Sequence, residues 1–317
     1  MLYPISVPVP NSEDNLFGYI NSRGIVVIPP SYAGCSHFSE GKAAVINRDG
    51  RSEFIDFSGA PAIPFIFGGL ASFHEGLCQI SGGYINHNGD WLIEPQFPIA
   101  SPFSGGLAFA STNGEFFGFI DSKGKFVVRS AYSRCRSFSE GLAAVCVDEH
   151  WGYIDRAGEL RIPSVFEKKR ATGFSFGLAG VQKDGRCGFI DPKGSFVIEP
   201  KYEDVRPFVE GRACVQLNGR WGFVDTEGDE IVPCKFEEFS RFNGGMAPAR
   251  IDGKAGFISE EGDWLIEPSF DRCYGFYCDL AVVRQGRTYS YVRRNGQIVW
   301  TSQPGARVQY PPPPVLI

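Results

Sequence analysis

The chain has 317 residues, and its 31 Lys and Arg against 36 Asp and Glu give a formal net charge of −5. Because the two signs are interspersed, the sequence lacks the basic footprint of a nucleic-acid-binding protein. No stretch approaches the ~18 consecutive apolar residues of a membrane span, and the first residues lack the basic and apolar regions of a signal peptide. We therefore expect a cytoplasmic protein that binds neither nucleic acid nor membrane. The basic run at residues 168–170 is interpreted as a solvated loop.

Residues 1–14 contain Pro4, Pro8 and Pro10 and are interpreted as a lead-in. From residue 15 to residue 300 the sequence is a tandem array. The array begins with residues 17–20, Phe-Gly-Tyr-Ile, which lack the preceding strand that later copies have. The first unit is therefore predicted to be incomplete, with eight full units after it.

The clearest copy of the repeat is Trp-Gly-Phe-Val-Asp-Thr-Glu-Gly at residues 221–228. Trp221, Phe223 and Asp225 alternate with Gly222 and Val224, which is the period of a half-buried strand. Asp at the start of a turn can accept hydrogen bonds from the backbone two residues on, and the closing Gly can adopt a positive φ. A second short strand follows and ends at a proline, which has no amide hydrogen to donate. The unit is predicted to be a hairpin.

Nine such hairpins are marked by their closing glycines, at intervals of 30 to 36 residues. The glycines are Gly24, Gly59, Gly89, Gly124, Gly158, Gly194, Gly228, Gly262 and Gly296. The shortest interval places its deletion at residues 81–83, Ser-Gly-Gly, where only a two-residue turn fits.

A second motif keeps the same period and begins with an aromatic residue that we call the landmark Phe. The landmark residues are Phe38, Phe73, Phe103, Phe138, Phe174, Phe208, Phe242 and Phe276. Each precedes a run of small and apolar residues, such as Leu-Ala-Ala-Val at residues 142–145. A third strand per unit is predicted.

The combination of F-x-E-G-L-A-x-V, W-G-F-I-D-x-x-G and V-I-x-P-x-Y resembles the WG-repeat family of bacterial proteins, over about residues 15 to 300. The resemblance implies binding or scaffolding roles and supplies no catalytic residues. The pattern has departures: Trp of the Trp-Gly pair remains only at Trp151 and Trp221, and Ser52-Glu53 replaces the pair entirely.

The expected fold class is all-β, a tandem repeat of short antiparallel meanders of three to four strands. Such a unit must stack on its neighbours to bury its apolar face. A β-propeller-like ring is favoured, because residues 306–310 of the C-terminal segment 301–317 could supply the strand that the first unit lacks. An open β-solenoid is the alternative, since a period of ~34 residues is short for a four-stranded blade.

No cofactor, metal or catalytic site is predicted. The turn acids Asp56, Asp121 and Asp155 are replaced by Asn21 and Asn86 in the same role, which fits turn capping and not catalysis. The four histidines occupy unrelated repeat positions, so no metal or Ser-His-Asp set can be drawn from the sequence. The nine cysteines have no CxxC pairs, and Cys35, Cys135 and Cys273 share one repeat position, which indicates reduced core thiols.

Aromatic residues are the candidate binding groups. Trp91, Trp264 and Trp300 replace an aliphatic residue at one strand position, where they either pack in the core or form a stacking surface. The terminal run Tyr310, Pro311, Pro312, Pro313 and Pro314 is either a polyproline II ligand motif or a plain tail.

The sequence therefore predicts a non-catalytic scaffold that binds a protein through its loops. The alternatives are a carbohydrate or cell-envelope binding module that uses the repeated aromatics, and an enzyme with its site in a propeller channel.

Overall fold

In the computed structural model, the described residues are 1–9, 12, 14–66, 69–167 and 169–306. They divide into two compact units: unit 1 comprises Met1–Gln96 and residues 269–306, and unit 2 comprises Phe97–Pro268. All regular structure in these residues is β-strand, arranged as nine antiparallel sheets that we number in chain order. The described residues contain no helix that is long and apolar enough to cross a bilayer.

Four sheets belong to unit 1. Sheet 1 has β1 (Leu2–Pro8), β2 (Asn15–Asn21) and β3 (Val26–Tyr32); sheet 2 has β4 (Gly34–Cys35), β5 (Ala43–Ile46), β6 (Ser52–Ile55) and β7 (Pro61–Ile66); sheet 3 has β8 (Phe73–His74), β9 (Leu77–Ile80), β10 (Gly83–Ile85) and β11 (Trp91–Ile93); sheet 9 has β31 (Arg272–Cys273), β32 (Leu280–Gln285), β33 (Thr288–Arg293) and β34 (Ile298–Thr301).

The other five sheets lie in unit 2, apart from the end of the last strand of sheet 8. Sheet 4 has β12 (Ile99–Ala100), β13 (Ala108–Ser111), β14 (Phe117–Ile120) and β15 (Phe126–Tyr132); sheet 5 has β16 (Arg134–Cys135), β17 (Leu142–Val147), β18 (His150–Asp155) and β19 (Leu160–Glu167); sheet 6 has β20 (Ala179–Lys183), β21 (Arg186–Ile190) and β22 (Phe196–Tyr202); sheet 7 has β23 (Asp204–Val205), β24 (Ala213–Leu217), β25 (Arg220–Val224) and β26 (Glu230–Phe236); sheet 8 has β27 (Glu238–Phe239), β28 (Ala247–Ile251), β29 (Lys254–Ile258) and β30 (Trp264–Phe270).

The first sheet corrects one expectation. The residues predicted to be a lead-in include β1, which pairs with β2 along its whole length, from Leu2 opposite Asn21 to Pro8 opposite Asn15. The first unit therefore has its own strand before the Phe-Gly hairpin and does not need one from the carboxyl end. The predicted closing strand at residues 306–310 lies outside the described residues except for Ala306.

Within unit 1 the first and last sheets of the chain pack side by side. Tyr3 and Ile5 of sheet 1 share a buried cluster with Val282 and Tyr291 of sheet 9. The Tyr291 hydroxyl donates a hydrogen bond of 2.7 Å to the Pro4 carbonyl. An open solenoid would keep its first and last units apart, so the β-propeller prediction is confirmed.

The predicted hairpin turns are confirmed. All nine closing glycines whose period defines the array have positive φ, between 78° and 90°. In the first eight turns the side chain of the starting residue accepts hydrogen bonds from the backbone N–H groups two and four positions later, as Asp191 does from Lys193 and Ser195, both at 2.9 Å. Asn21 and Asn86 make the same two bonds, so an amide suffices in this position. The ninth turn starts at Arg293, and there the Asn295 side chain accepts from Gln297 N instead.

The glycine of the Trp-Gly pair is required for a different reason from the closing glycines: a neighbouring strand approaches it closely. In sheet 7, Trp221 pairs with Phe236 and Phe223 pairs with Val232, so two steps on β25 oppose four on β26. This bulge turns the Val232 carbonyl toward β25, and a Cβ atom on Gly222 would lie 2.4 Å from that oxygen. Only glycine fits against this bulge without a backbone shift.

Inside each unit, a recurring aromatic pair joins neighbouring sheets. The middle strand of one sheet places a buried ring against the landmark Phe of the next sheet, as Tyr153 does against Phe174 at 5.0 Å between ring centroids. The residue after a landmark Phe adds a hydrogen bond to the next landmark carbonyl, and Ser139 Oγ donates to Phe174 O at 2.5 Å. In unit 1, the Tyr277 hydroxyl makes the same contact from sheet 9 to the Phe38 carbonyl at 3.0 Å.

Candidate functional site

Sheets 5 to 7 of unit 2 carry a set of arginines at fixed distances before the landmark Phe. Arg134 and Arg170 lie four residues before their landmark Phe, and Arg136 and Arg206 lie two residues before theirs. Alternate residues of an extended segment project from the same side. We call Arg134, Arg136, Arg170 and Arg206 the arginine row. The residue between Arg134 and Arg136 faces the other way, because Cys135 packs against the core cluster of sheets 4 and 5.

Two members of the row lie over tryptophan rings. The guanidinium carbon of Arg136 is 5.7 Å from the ring centre of Trp151, and that of Arg206 is 5.0 Å from the ring centre of Trp221. These are the two Trp-Gly pairs that retain Trp. In the described sheets, Arg occurs two residues before the landmark Phe only where that Trp is present. Cation–π contact therefore accounts for the retained tryptophans at these positions.

Asp204 is the carboxylate in contact with the row. Its Oδ1 is 2.5 Å from Arg170 Nη2, and its Oδ2 is 2.9 Å from Arg206 Nη1. Among the described residues no carboxylate forms an ion pair with Arg134 or Arg136, and both side chains are exposed. Desolvation and the neighbouring Arg170 guanidinium lower the pKa of Arg136. Two of the four guanidinium groups thus share one carboxylate, and the other two form no ion pair among the described residues.

A second charged set fixes the hairpin tips beside the row. The Glu203 carboxylate accepts a hydrogen bond of 2.8 Å from the Gly219 N–H of sheet 7 and lies 3.9 Å from Arg186 of sheet 6. Glu167 accepts a bond of 2.8 Å from the Gly185 N–H in the same way. These carboxylates are held in place by backbone donors at the edge of the row.

Sheet 6 also borders a shallow groove. Its volume is about 240 Å³, and it is lined by Lys183, Asp184, Arg186, Phe196, Glu199 and Pro200. The Lys183 ammonium lies 5.9 Å from the centre of the Phe196 ring. The groove combines cations with one aromatic wall, and Arg186 links it to Glu203, the neighbour of Asp204 in sequence.

The predicted binding tryptophans occupy three different environments. Trp91 is 37% exposed and its ring lies against Gly83. Trp264 packs edge-on against Phe236 at 5.8 Å, in the cluster of sheets 7 and 8. Trp300 packs against Tyr291 at 6.0 Å, in the cluster of sheets 1 and 9. The motif Tyr310, Pro311, Pro312, Pro313 and Pro314 lies outside the described residues.

The remaining ionisable residues have local structural contacts. His87 stacks on Phe73 at 4.3 Å, and its Nε2 lies 3.0 Å from Glu40 Oε2. Burial raises the pKa of the Cys35 thiol to about 12 and also raises the pKa of Cys135 and Cys273. Within residues 1–9, 12, 14–66, 69–167 and 169–306, no group of three or more His, Cys, Asp and Glu is placed to hold a metal ion.

The arginine row was missed in the sequence, where residues 168–170 are interpreted only as a solvated loop. Arg170 in fact forms an ion pair with Asp204, and its side chain is 20% exposed. The signal was the offset from the landmark Phe: Arg at positions two or four before it recurs in three successive units.

The sequence model of a repeat described as "WG containing repeat" matches seven stretches of the chain. They are residues 17–50, 83–116, 117–149, 151–187, 188–221, 221–254 and 256–289. No protein with a curated description matches the chain significantly.

Several solved structures are similar to the chain at low identity. BamB from Moraxella catarrhalis is 13% identical with a TM-score of 0.47, covering 81% of this chain and 91% of its own. The dihydro-heme d1 dehydrogenase NirN in complex with DHE is 11% identical with a TM-score of 0.48, covering 94% and 72%. Hsv2p from Kluyveromyces lactis is 9% identical with a TM-score of 0.45, covering 87% and 97%. At these TM-scores the similarities support no inference about ligand or reaction.

Proposed function

The chain belongs to the family of WG containing repeat proteins, and from this membership we propose that it is a non-catalytic scaffold that binds another protein. The observation that carries the proposal is the arginine row. Its arginines lie in or next to short segments whose alternate residues, Cys135 and Val205, pack in the core, so they form a fixed surface. Fixed side chains lose little conformational entropy on binding, which favours recognition of a partner surface.

The repeat itself supports the same role. Each sheet after the first presents a landmark turn and a hairpin tip, and carboxylates of other segments fix turns of both kinds by accepting backbone hydrogen bonds, as Glu140 does from Gly177 (2.9 Å) and Glu203 from Gly219 (2.8 Å). A series of similar loops on a rigid framework supplies a wide contact surface.

Crosslinking of the full chain in cells, followed by mass spectrometry, tests this function. We expect one protein to be recovered in a fixed ratio to the chain, with crosslinks to lysines of unit 2 such as Lys169 and Lys183. A chain that recovers no partner in a fixed ratio contradicts the proposal.

The exposed ring of Trp91 supports a second candidate, a carbohydrate-binding surface. Stacking of a sugar requires one free aromatic face, and Trp91 has the exposure that this needs. A glycan array probed with the wild type and with Trp91→Ala separates the two functions. Retention that depends on Trp91 favours carbohydrate, whereas Trp264→Ala is the matched control because Trp264 packs against Phe236.

A further inference from the structure

We propose that the arginine row binds an acidic peptide segment of the partner protein, with Arg136 and Arg206 as its anchors. The inference rests on the proposed function and adds to it the site and the chemistry of the partner.

The arginine row carries more positive charge than its one carboxylate neutralises. Asp204 contacts Arg170 and Arg206, while Arg134 and Arg136 have no carboxylate partner in the described part of the chain. Like charges held together raise the free energy of the folded protein until an anion joins them. The positive charge is local, because the chain as a whole has a net charge of −5.

The two anchors are held against indole rings. The guanidinium carbons of Arg136 and Arg206 lie 5.7 and 5.0 Å from the ring centres of Trp151 and Trp221, and Trp151 is only 4% exposed. Arg136 forms no ion pair among the described residues, whereas Arg206 uses Nη1 for Asp204. A planar guanidinium held in this way matches a carboxylate in bidentate geometry, and little side-chain entropy is lost on binding.

Carboxylates beside the row favour a peptide over a nucleic acid as its ligand. The carboxylates of Glu167 and Glu203 are fixed beside the row by the N–H groups of Gly185 and Gly219. A nucleic acid carries a charge at every nucleotide and would meet these carboxylates as well as Asp204. A peptide can place a few carboxylates against the arginines and neutral residues elsewhere, so the alternation of charge selects for it.

Fluorescence polarisation with a fluorescein-labelled ten-residue peptide of alternating Glu and Gly, the Glu-Gly peptide, tests the inference on the full chain. We expect binding that weakens as salt is raised, because the contacts are exposed charges. The double variant Arg136→Glu/Arg206→Glu is expected to weaken binding by at least tenfold, and Arg136→Glu alone by several-fold. Arg129→Glu makes the same single charge reversal at an exposed residue of β15 outside the row; it is the matched control for Arg136→Glu and is expected to change the affinity by less than twofold.

Two further variants guard against unfolding and test the role of the planar guanidinium group. Arg136→Gln removes a charge that has no ion pair, so we expect the fold to be intact by circular dichroism and the affinity to fall several-fold. Arg136→Lys keeps the charge but not the planar fork, and we expect an affinity between those of Arg136→Gln and the wild type.

Several results would overturn the proposal. One is absence of binding of the Glu-Gly peptide, and another is equal binding of that peptide by the wild type and the double variant. Tighter binding of a ten-nucleotide single strand than of the Glu-Gly peptide would make the row a nucleic-acid site. The crosslinking experiment separates the two proposals: a partner recovered equally by the wild type and the double variant leaves the scaffold function standing and removes the row from it.

Discussion

Sheet 7 and sheet 9 are built from the same repeat and differ at one strand pairing. In sheet 7, Gly222 lies opposite a bulge in which two steps on one strand face four on the other. In sheet 9 the equivalent residue is Ser290, and the pairing is regular from Ser290 opposite Thr301 to Tyr291 opposite Trp300; the register shifts only at the next step, between Tyr291 and Val292. The Ser290 hydroxyl lies 2.9 Å from the Thr301 hydroxyl.

Sheet 2 falls between them. Its equivalent residue is Glu53, and there Ser52 to Phe54 faces Ile66 to Ile63, so two steps oppose three. The size of the bulge therefore follows the side chain at this position: full with Gly, reduced with Glu and absent with Ser. The Gly of the Trp-Gly motif is thus required by the close approach of the last strand of the sheet. The Trp has a different role, because its ring contacts an arginine.

The largest expected effect comes from filling the space beside the bulge. Gly222→Ala would place Cβ within 2.4 Å of the Val232 carbonyl oxygen and 2.7 Å of the Cys234 nitrogen. These are backbone atoms, so the outer strand itself must move, and we expect a loss of about 3 kcal/mol in the free energy of unfolding. Urea denaturation of the full chain measures it.

Gly219→Ala is the control for this substitution. Gly219 has a φ of +70° and nothing within 4 Å of the added Cβ, so only the backbone conformation opposes the change. We expect a loss of about 1 kcal/mol. Equal losses at the two positions would show that the bulge does not require glycine.

Sheet 9 retains the hydrogen bond from a buried Tyr hydroxyl to a carbonyl of the neighbouring sheet. Although the bulge at Ser290 is absent, the Tyr291 hydroxyl bonds the Pro4 carbonyl at 2.7 Å, as the Tyr153 hydroxyl bonds the Thr172 carbonyl at 2.8 Å inside unit 2. Either Tyr→Phe change leaves a buried carbonyl without its donor, at a cost of about 2 kcal/mol. We expect similar losses in thermal unfolding for the two variants; a negligible loss for Tyr291→Phe alone would mean that the contact between the first and last sheets contributes little.

The features that could be predicted from the sequence are those set by residues close together in the chain. The turns follow from the closing glycine, preceded in seven of nine cases by Asp or Asn three residues earlier, and hence their positions were predicted correctly at all nine hairpins. Strand β1 was missed because it contains Pro4 and Pro8 and lacks the small-residue motif of its equivalents, while its pairing with β2 depends on residues across the turn. Its burial, and not its local propensity, makes it a strand.

The arginine row was missed for a related reason. The four arginines are spread over residues 134–206, and their common side becomes visible only when the units are aligned on the landmark Phe. Their shared carboxylate, Asp204, joins Arg170 of one sheet to Arg206 of the next, and this depends on packing between sheets. Periodicity within one unit carries no information about that contact.

Buried cysteine thiols at one repeat position are expected to make the stability of the fold depend on pH. Cys35, Cys135 and Cys273 occupy one repeat position in sheets 2, 5 and 9, and burial raises the pKa of all three thiols. The unfolded chain loses these protons near pH 9, whereas the folded chain keeps that of Cys35 until about pH 12. The folded state binds more protons in this window, so stability is full below pH 9 and falls as the pH rises.

At pH 10 each such thiol is expected to lower the free energy of unfolding by about 1 kcal/mol. Urea denaturation at pH 8 and pH 10 measures the total, and Cys35→Ala should reduce the difference between the two values. A difference that is unchanged in this variant would show that other groups cause the alkaline loss.

The smallest effect is expected at Ser290. Ser290→Ala removes the hydrogen bond to Thr301 but adds no atom, and the pairing at Ser290 and Tyr291 has no bulge for the side chain to meet. We expect a loss of about 1 kcal/mol or less by urea denaturation. The same residue type, alanine, is thus tolerated in sheet 9 and disruptive at Gly222 of sheet 7, because in one sheet it faces a regular ladder and in the other a displaced carbonyl. If Ser290→Ala were as damaging as Gly222→Ala, the cost would lie in the repeat position itself and not in the bulge.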